Sequence, residues 1–343
     1  MKAGTLSTKT RWRREGLVLG RRADTTWGSA VIGDPCVVWD DDVRAWRMFL
    51  FALPPGHGQA LCAGDAWRAD AWKLSGPLDF ANPQAILGGA AFKPFVVLDP
   101  RACGRAARID GRFALLIVVD HEAKVVQRAW APRLAGPWTV DERVLIERGN
   151  GNDFDARHVD AVSAYYFEER REIVYFYMGY PERAQAHALS PYGSSLGIAV
   201  EAVGTSRVVK HGAVLRPAES RGHWASGWVG GLQLVHGVEH RWVGIVNASP
   251  TAPDRDDTSL WREEPPPSLG GFAICDEPLP LSGWRWSDEP FEWIEDVPEQ
   301  ARAEGEGTNL WRHHALVFPD GRAALFYNSG AYFAEQLYLK VSA

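Results

Sequence analysis

A five-bladed, all-β propeller is expected from this chain on two grounds: a hairpin pattern that recurs five times, and a composition suited to short strands and tight turns. The pattern is an apolar strand, a short polar turn and a second apolar strand. The second strands are Trp46 to Phe51 (WRMFLF), Phe113 to Val118 (FALLIV), Ile173 to Met178 (IVYFYM), Trp242 to Asn247 (WVGIVN) and Ala323 to Asn328 (AALFYN). Their starts lie roughly 60 to 80 residues apart, longer than any β-helix coil and unlike sandwiches, whose strands come every ~8 to 12 residues. The 343 residues include 16 Trp, 34 Gly and 22 Pro, and no long helical pattern interrupts them. Aromatic residues suit pleated, half-buried surfaces, while Gly and Pro punctuate strands with turns.

Each hairpin is followed by a third strand: Leu61 to Asp65, Val125 to Trp130, Leu196 to Val200, Phe272 to Asp276 and Gln336 to Val341. Four of these lead through a turn to a fourth strand, at Ala71 to Leu74, Pro137 to Val140, Ser206 to Lys210 and Trp284 to Ser287. The unit is a four-stranded antiparallel blade. The fifth unit stops soon after its third strand, so an N-terminal segment, Glu15 to Leu19, is expected to supply the last strand and close the ring. Closure removes an open sheet edge, which would otherwise pair with other chains. Residues 1–343 are read as a single domain, with the first ~14 residues a candidate for disorder.

A net charge of -6 and a pI near 6.0 give no broad basic field, which argues against nucleic acid and anionic membrane as partners. The N-terminus is basic but lacks an apolar export core, and no run approaches the ~18 apolar residues of a spanning helix. A cytoplasmic location is therefore expected. Cys36, Cys62, Cys103 and Cys275 are scattered without a CxxC pair, so small buried thiols are expected rather than a zinc site or a disulfide framework.

In a propeller the first strand of each blade lines the central channel, so polar residues at its head converge. Blade one offers Gly33-Asp34-Pro35, blade two Leu98-Asp99-Pro100 and blade three Arg157-His158-Val159-Asp160. Blade four offers Gly227-Trp228-Val229-Gly230, and blade five Trp311-Arg312-His313-His314. A single acid at a strand head is usually a turn cap. Three on one ring repel one another, so one pKa should rise while a neighbour stays ionised. That separation is what acid/base cleavage of a glycosidic bond needs.

With Asp34 in a GDP context, Asp99 in an LDP segment ahead of the DG turn of blade two, and Asp160 opening blade three, the chain resembles glycoside hydrolase families 43, 32, 62, 117 and 130. The likeness covers the whole chain in architecture through short motifs. It implies Asp34 as general base, Asp99 as the group that tunes pKa, and Asp160 as proton donor. The family 43 pattern has Glu where this chain has Asp160. In the likeness to families 117 and 130 another group donates the proton, which makes His158, His313 and His314 alternatives.

Further substrate-binding candidates are Arg157 and Arg312, whose planar forks suit hydroxyls or carboxylates, along with Trp228, Tyr332 and Glu335, the last also a reserve candidate for the acid. His57 is a rim candidate. Asp153 and Asp155 alternate as in a cation loop, but no Glu completes an EF-hand. No cofactor is expected, with a channel-bound calcium kept open as an alternative. The reaction expected is hydrolysis of a small carbohydrate substrate with inversion, which places the two groups ~6.5 to 9.5 Å apart. Two other readings stand beside it. Phosphorolysis would draw on Arg157, Arg312 and His313, and a non-catalytic binding propeller would need no acid/base pair at all.

Overall fold

A computed structural model describes residues 2–21, 28–53, 56–89, 91–182, 193–205, 207–220, 222–250, 268–293, 297–303, 306, 310–330 and 334–343. Two N-terminal strands, β1 (Thr5–Leu6) and β2 (Trp12–Leu19), precede the first blade. Blade one is β3 (Val31–Asp40), β4 (Ala45–Leu53), β5 (Gly56–Cys62) and β6 (Lys73–Pro77). Blade two is β7 (Ala91–Val96), β8 (Phe113–His121), β9 (Ala123–Ala131) and β10 (Thr139–Ile146). Blade three is β11 (His158–Phe167), β12 (Glu172–Tyr180), β13 (Ser195–Ala202) and β14 (Val208–Leu215). Blade four is β15 (Trp228–Gly237), β16 (Trp242–Ser249), β17 (Leu269–Cys275) and β18 (Arg285–Pro290). Blade five is β19 (His313–Val317), β20 (Ala323–Ser329) and β21 (Gln336–Ser342), completed by β2.

The ring is thus closed by Trp12–Leu19 pairing antiparallel with β21, a strand three residues longer at its start than Glu15 to Leu19. The first residues, expected as a candidate for disorder, are instead built in: β1 adds parallel to β15, pairing Thr5 with His236. Leu6 is buried among Val243, Ile245 and Leu325. All five second strands fall inside β4, β8, β12, β16 and β20, whose alternate residues are apolar on both faces because each blade packs between two others. The outer strands differ from expectation. β6, β10, β14 and β18 begin one or two residues later than the expected segments, and β5 runs Gly56–Cys62 rather than Leu61 to Asp65. An outer strand faces solvent on one side, so its apolar signal is weaker.

Neighbouring blades are joined near the channel by directed bonds. Leu98 N–H donates to the Ala164 carbonyl at 3.0 Å and Tyr166 N–H to the Leu98 carbonyl at 2.8 Å, tying blade two to blade three. Leu234 N–H donates to the Tyr165 hydroxyl at 2.7 Å, and Gln233 Nε2 donates to the Ala315 carbonyl at 2.8 Å. Aromatic edges fill the seams, as where Phe49 of blade one meets Trp138 of blade two at 5.9 Å. All four cysteines are buried and free. Among the described residues no helix is long and apolar enough to cross a membrane.

Candidate active site

Four innermost strands carry a β-bulge at the same level. In β3 the pairing with β4 jumps between Gly33 and Cys36, in β7 between Phe92 and Phe95, in β11 between Asp160 and Ser163, and in β15 between Val229 and Leu232. Each places two residues against one, so Asp34, Lys93, Ala161 and Gly230 are equivalent. A bulge re-aims a side chain and ends regular pairing, and such features gather next to active sites. Asp34, Lys93 and Ala161 all adopt the left-handed region, with φ of 55°, 49° and 48°. Each such residue costs on the order of 1 kcal/mol, offset by the ladders on either side.

Asp34 and Asp160 are brought together at this level. Asp160 is fully buried, and its Oδ1 accepts from Lys93 Nζ at 2.7 Å while its Oδ2 accepts from Lys124 Nζ at 3.1 Å. The Tyr180 hydroxyl, at 3.4 Å from Oδ2, and the Ala161 N–H, at 2.7 Å from Oδ1, complete the shell. Burial alone would raise the Asp160 carboxyl, but Lys124 and Lys93 outweigh it and hold it far below the usual carboxylate range. Asp34 is buried without such a clamp. Its burial pushes the carboxyl up, against the pull of Lys93 and Arg312, and the charge of Asp160 adds to the rise. Burial likewise lowers the Lys93 ammonium, opposed by Asp160.

Arg312 reaches into this group from blade five. Its own N–H donates to Asn328 Oδ1 at 2.9 Å, and its Nη2 donates to the Val162 carbonyl of blade three at 3.3 Å. The guanidinium passes Gly231, where an added Cβ would lie 2.2 Å from Nη1, so blade four leaves room by having no side chain there. Asn247 Oδ1 accepts from Gly231 N–H at 2.9 Å, and Asn328 Oδ1 lies 3.4 Å from Asp34 N, so the same residue type braces blades four and five. His158 stands at the rim with Nδ1 accepting Lys124 N–H at 3.1 Å, which leaves its proton on Nε2. Burial, Lys124 and Arg157 lower its pKa, so the ring is neutral. Arg157 is anchored beside it by its N–H to the Tyr180 carbonyl at 2.9 Å.

Asp99 does not join them. It lies at the other end of the channel, beside a cavity of about 250 Å³ that Trp39, Arg105, Tyr166 and Glu168 also line. Arg101 grips it in a fork, with Nε 2.9 Å from Oδ1 and Nη2 3.1 Å from Oδ2. The register equivalent of Asp34 in blade two is Lys93. The signal for it was present in the sequence: Asp34-Pro35-Cys-Val-Val is matched by Lys93-Pro94-Phe-Val-Val, whereas Leu98-Asp99-Pro100 is a second Asp-Pro pair six residues too late. Lys124 and Tyr180 carry no comparable signal, since each reaches Asp160 only through the packing of β9 and β12 against β11.

The other expected residues divide. His313 and His314 are buried within the channel wall: His313 Nε2 faces the Ile245 carbonyl at 2.7 Å and His314 lies against Phe95. Burial pushes both imidazoles down to about 3, so both are neutral near pH 7. Trp228 is core, stacked on Trp311 at 5.9 Å and packed with Met178 and Tyr180. Glu335 is buried at the seam of blades five and one, its carbonyl accepting Ile32 N–H at 3.1 Å. Asp155 is tied to Lys210 at 2.7 Å and to the Tyr177 hydroxyl at 3.0 Å, and Asp153 accepts from Asn150 N–H at 2.8 Å. Among the described residues no cluster of three His, Cys, Asp or Glu could hold a metal ion. Tyr332 and the side chain of His57 lie outside the described residues.

No protein-family model matches the chain, and no curated protein matches it in sequence. Solved structures do match in fold. One described as a glycoside hydrolase superposes with a TM-score of 0.68 at 14% identity, over 98% of this chain and 92% of that one. A member of the GH130 family of mannoside phosphorylases, reported to contain glycoside hydrolases that target β-1,2 mannosidic linkages in Candida mannan, gives 0.66 at 12% identity, over 99% and 96%. The catalytic domain of the Coprinopsis cinerea GH62 α-L-arabinofuranosidase gives 0.60 at 13% identity, over 98% of each chain. The five-bladed propeller is the fold that these neighbours share with this chain.

Proposed function

We propose that this protein is a glycoside hydrolase acting on a small carbohydrate at the channel mouth formed by Asp34, Lys93, Lys124, Asp160 and Arg312. One observation carries the reading: two carboxyl groups from different blades converge where their environments push their protonation apart. Asp34, raised toward the working pH, is the group suited to move a proton, and as general base it activates water. Asp160, held ionised by two lysines, is not the donor that the family likeness implied. It acts as a fixed anion that orients Lys93 and Lys124 and faces the positive charge developing on the sugar ring. Of the three histidines kept as alternative donors, only His158 stands at the rim with a proton on its outer nitrogen. Its neutral imidazole hydrogen-bonds to the leaving oxygen, which takes its proton from solvent at the mouth, while Asp34 passes back to solvent the proton drawn from the attacking water.

The neighbours' descriptions as glycoside hydrolases and an arabinofuranosidase support the same class of substrate. Phosphorolysis is less well served, because His313, one of its three expected phosphate donors, is neutral and spent on the Ile245 carbonyl. The test is turnover of a panel of aryl pyranosides and furanosides by wild type and Asp34→Asn. Loss of at least ~1,000-fold in kcat/KM is expected for the variant. Undiminished turnover by Asp34→Asn sinks the base assignment, and no turnover of any panel member by wild type leaves a non-catalytic binding propeller.

A further inference from the structure

The cavity beside Asp99 is separate from the mouth at Asp34. β3 runs from Asp34 at the mouth to Asp40 in the wall of that cavity, and at ~3.3 Å per residue the two lie roughly 20 Å apart. With about 250 Å³, the cavity stands near the lower end of the ~300 to 1,000 Å³ typical of small-molecule pockets, room for one sugar ring and not for a chain. Tyr166 of β11 lines it and is only 8% exposed. Its hydroxyl has no hydrogen-bond partner among the described residues, yet it is not sealed from solvent, so it opens to the cavity. A nearly buried hydroxyl in this state needs water or a ligand to complete it. Trp39, 36% exposed, lines the same cavity. Its Nε1 donates to Asp41 at 2.9 Å and its ring meets Trp46 edge to face at 5.4 Å, so the indole is fixed in place while part of it stays open.

The charged groups around them are largely paired with one another. Arg47 Nε donates to Asp40 at 2.7 Å, and Arg101 forks onto Asp99 and reaches Glu168. Arg108 donates to the Gly111 carbonyl at 3.1 Å while lying 4.4 Å over the Phe113 ring. A charged ligand would have to compete with these pairs. A neutral hydroxyl need not, because it donates to the spare lone pairs of a paired carboxylate and accepts from the spare N–H groups of a paired guanidinium. Arg105 adds such donors, acting on Asp99 through its charge alone. We propose that this far cavity is a second, non-catalytic binding site for a neutral saccharide, one ring resting on the Trp39 indole with a hydroxyl bonded to Tyr166. It goes beyond the hydrolase reading and does not depend on it, since no group at the Asp34 mouth takes part.

The experiment labels the 16 Trp of the full chain with fluorotryptophan and follows the fluorine resonance of Trp39, assigned by its loss in Trp39→Phe. Methyl glycosides of glucose, galactose, mannose, xylose and arabinose are titrated in turn to about 100 mM, well above the millimolar Kd of a weak site. A saturable shift with at least one glycoside is expected. Its Kd should be weaker by about threefold or more in Tyr166→Phe, which removes one hydrogen bond, and unchanged in Asp34→Asn. If Tyr166→Phe does not fold, Arg105→Gln replaces it with the same expectation. No saturable shift with any glycoside overturns the proposal. So does a shift that the cavity variant leaves undiminished, or one that Asp34→Asn abolishes, which would place the sugar at the mouth. A shift produced by sodium phosphate or calcium chloride, and by no glycoside, overturns it in favour of an ion site. Absence of aryl glycoside turnover by wild type sinks the hydrolase reading and leaves this titration to decide the second site by itself.

Discussion

The two ends of the channel each carry an Asp-Pro pair, ringed by cations, and they behave differently. At one end Asp34 precedes Pro35 on a bulge of blade one, among groups drawn from blades two, three and five. At the other, Asp99 precedes Pro100 and is forked by Arg101, two residues away in the chain and 47% exposed. Arg101 also reaches Glu168 at 2.5 Å and Glu169 at 3.1 Å, both open to solvent. The fork lowers the Asp99 carboxyl although partial burial works against it. Here Asp99, Arg101, Glu168 and Glu169 pair in a local, largely hydrated cluster, so the fork contributes little stability. At the Asp34 end, partners come from distant blades and water is largely excluded, so the ring itself sets the protonation states.

This contrast is sharpened first by Asp160→Asn. Removing the carboxylate leaves two ammonium groups facing each other at a poorly hydrated site, and a loss of about 2–4 kcal/mol is expected in urea unfolding at pH 7. A loss under about 1 kcal/mol would mean that the clamp is as well hydrated as the far end and would break the comparison.

A smaller effect is expected from the channel wall between the two ends. His313 and His314 titrate near 3 in the folded protein and near ~6.5 when unfolded. Below pH ~6.5 the unfolded chain binds protons that the folded protein refuses, so stability falls as pH drops from ~6.5 toward 3, by up to about 1.4 kcal/mol per pH unit for each imidazole. In His314→Gln, one such contribution disappears. The difference in unfolding free energy between pH 7.5 and 5 should therefore shrink by about 1–2 kcal/mol, and an unchanged difference would show that His314 is protonated in place.

The smallest effect belongs to the hydrated end. Asp99→Asn should change stability by less than about 1 kcal/mol and kcat/KM by less than about threefold. A large loss of turnover would move the chemistry to the far cavity.

The propeller was legible in the chain because its signal is repeated: each second strand lies between two blades and is apolar on both faces, as in Ile173 to Met178. Asp34 and Asp160 were legible for the same reason, standing where an apolar run begins. Lys93 was missed because the reading sought like residues at like positions, and the bulge position holds an acid in one blade and a base in the next. Lys124 was illegible, since it projects from the third strand of its blade and finds Asp160 only across a seam. The outer strands were misplaced by one or two residues because one solvated face dilutes their pattern. Asp99 shows the converse failure, a matching dipeptide whose place in the strand register is wrong.

The repeated bulge has a consequence for how this molecule can change. Because two residues oppose one at that level, the strand beyond it keeps its own alternation whatever stands in the bulge: Cys36-Val37-Val38 and Phe95-Val96-Val97 are equally buried behind an acid and a lysine. In blades one and two the position works as a socket, held by the sheet and presenting a carboxylate or an ammonium to the site, whereas Ala161 packs with Met178, Tyr180 and Trp228 and an added Cβ at Gly230 would lie 2.4 Å from Asn247 Oδ1. Specificity can therefore be rewritten at blades one and two with the five-fold frame left standing.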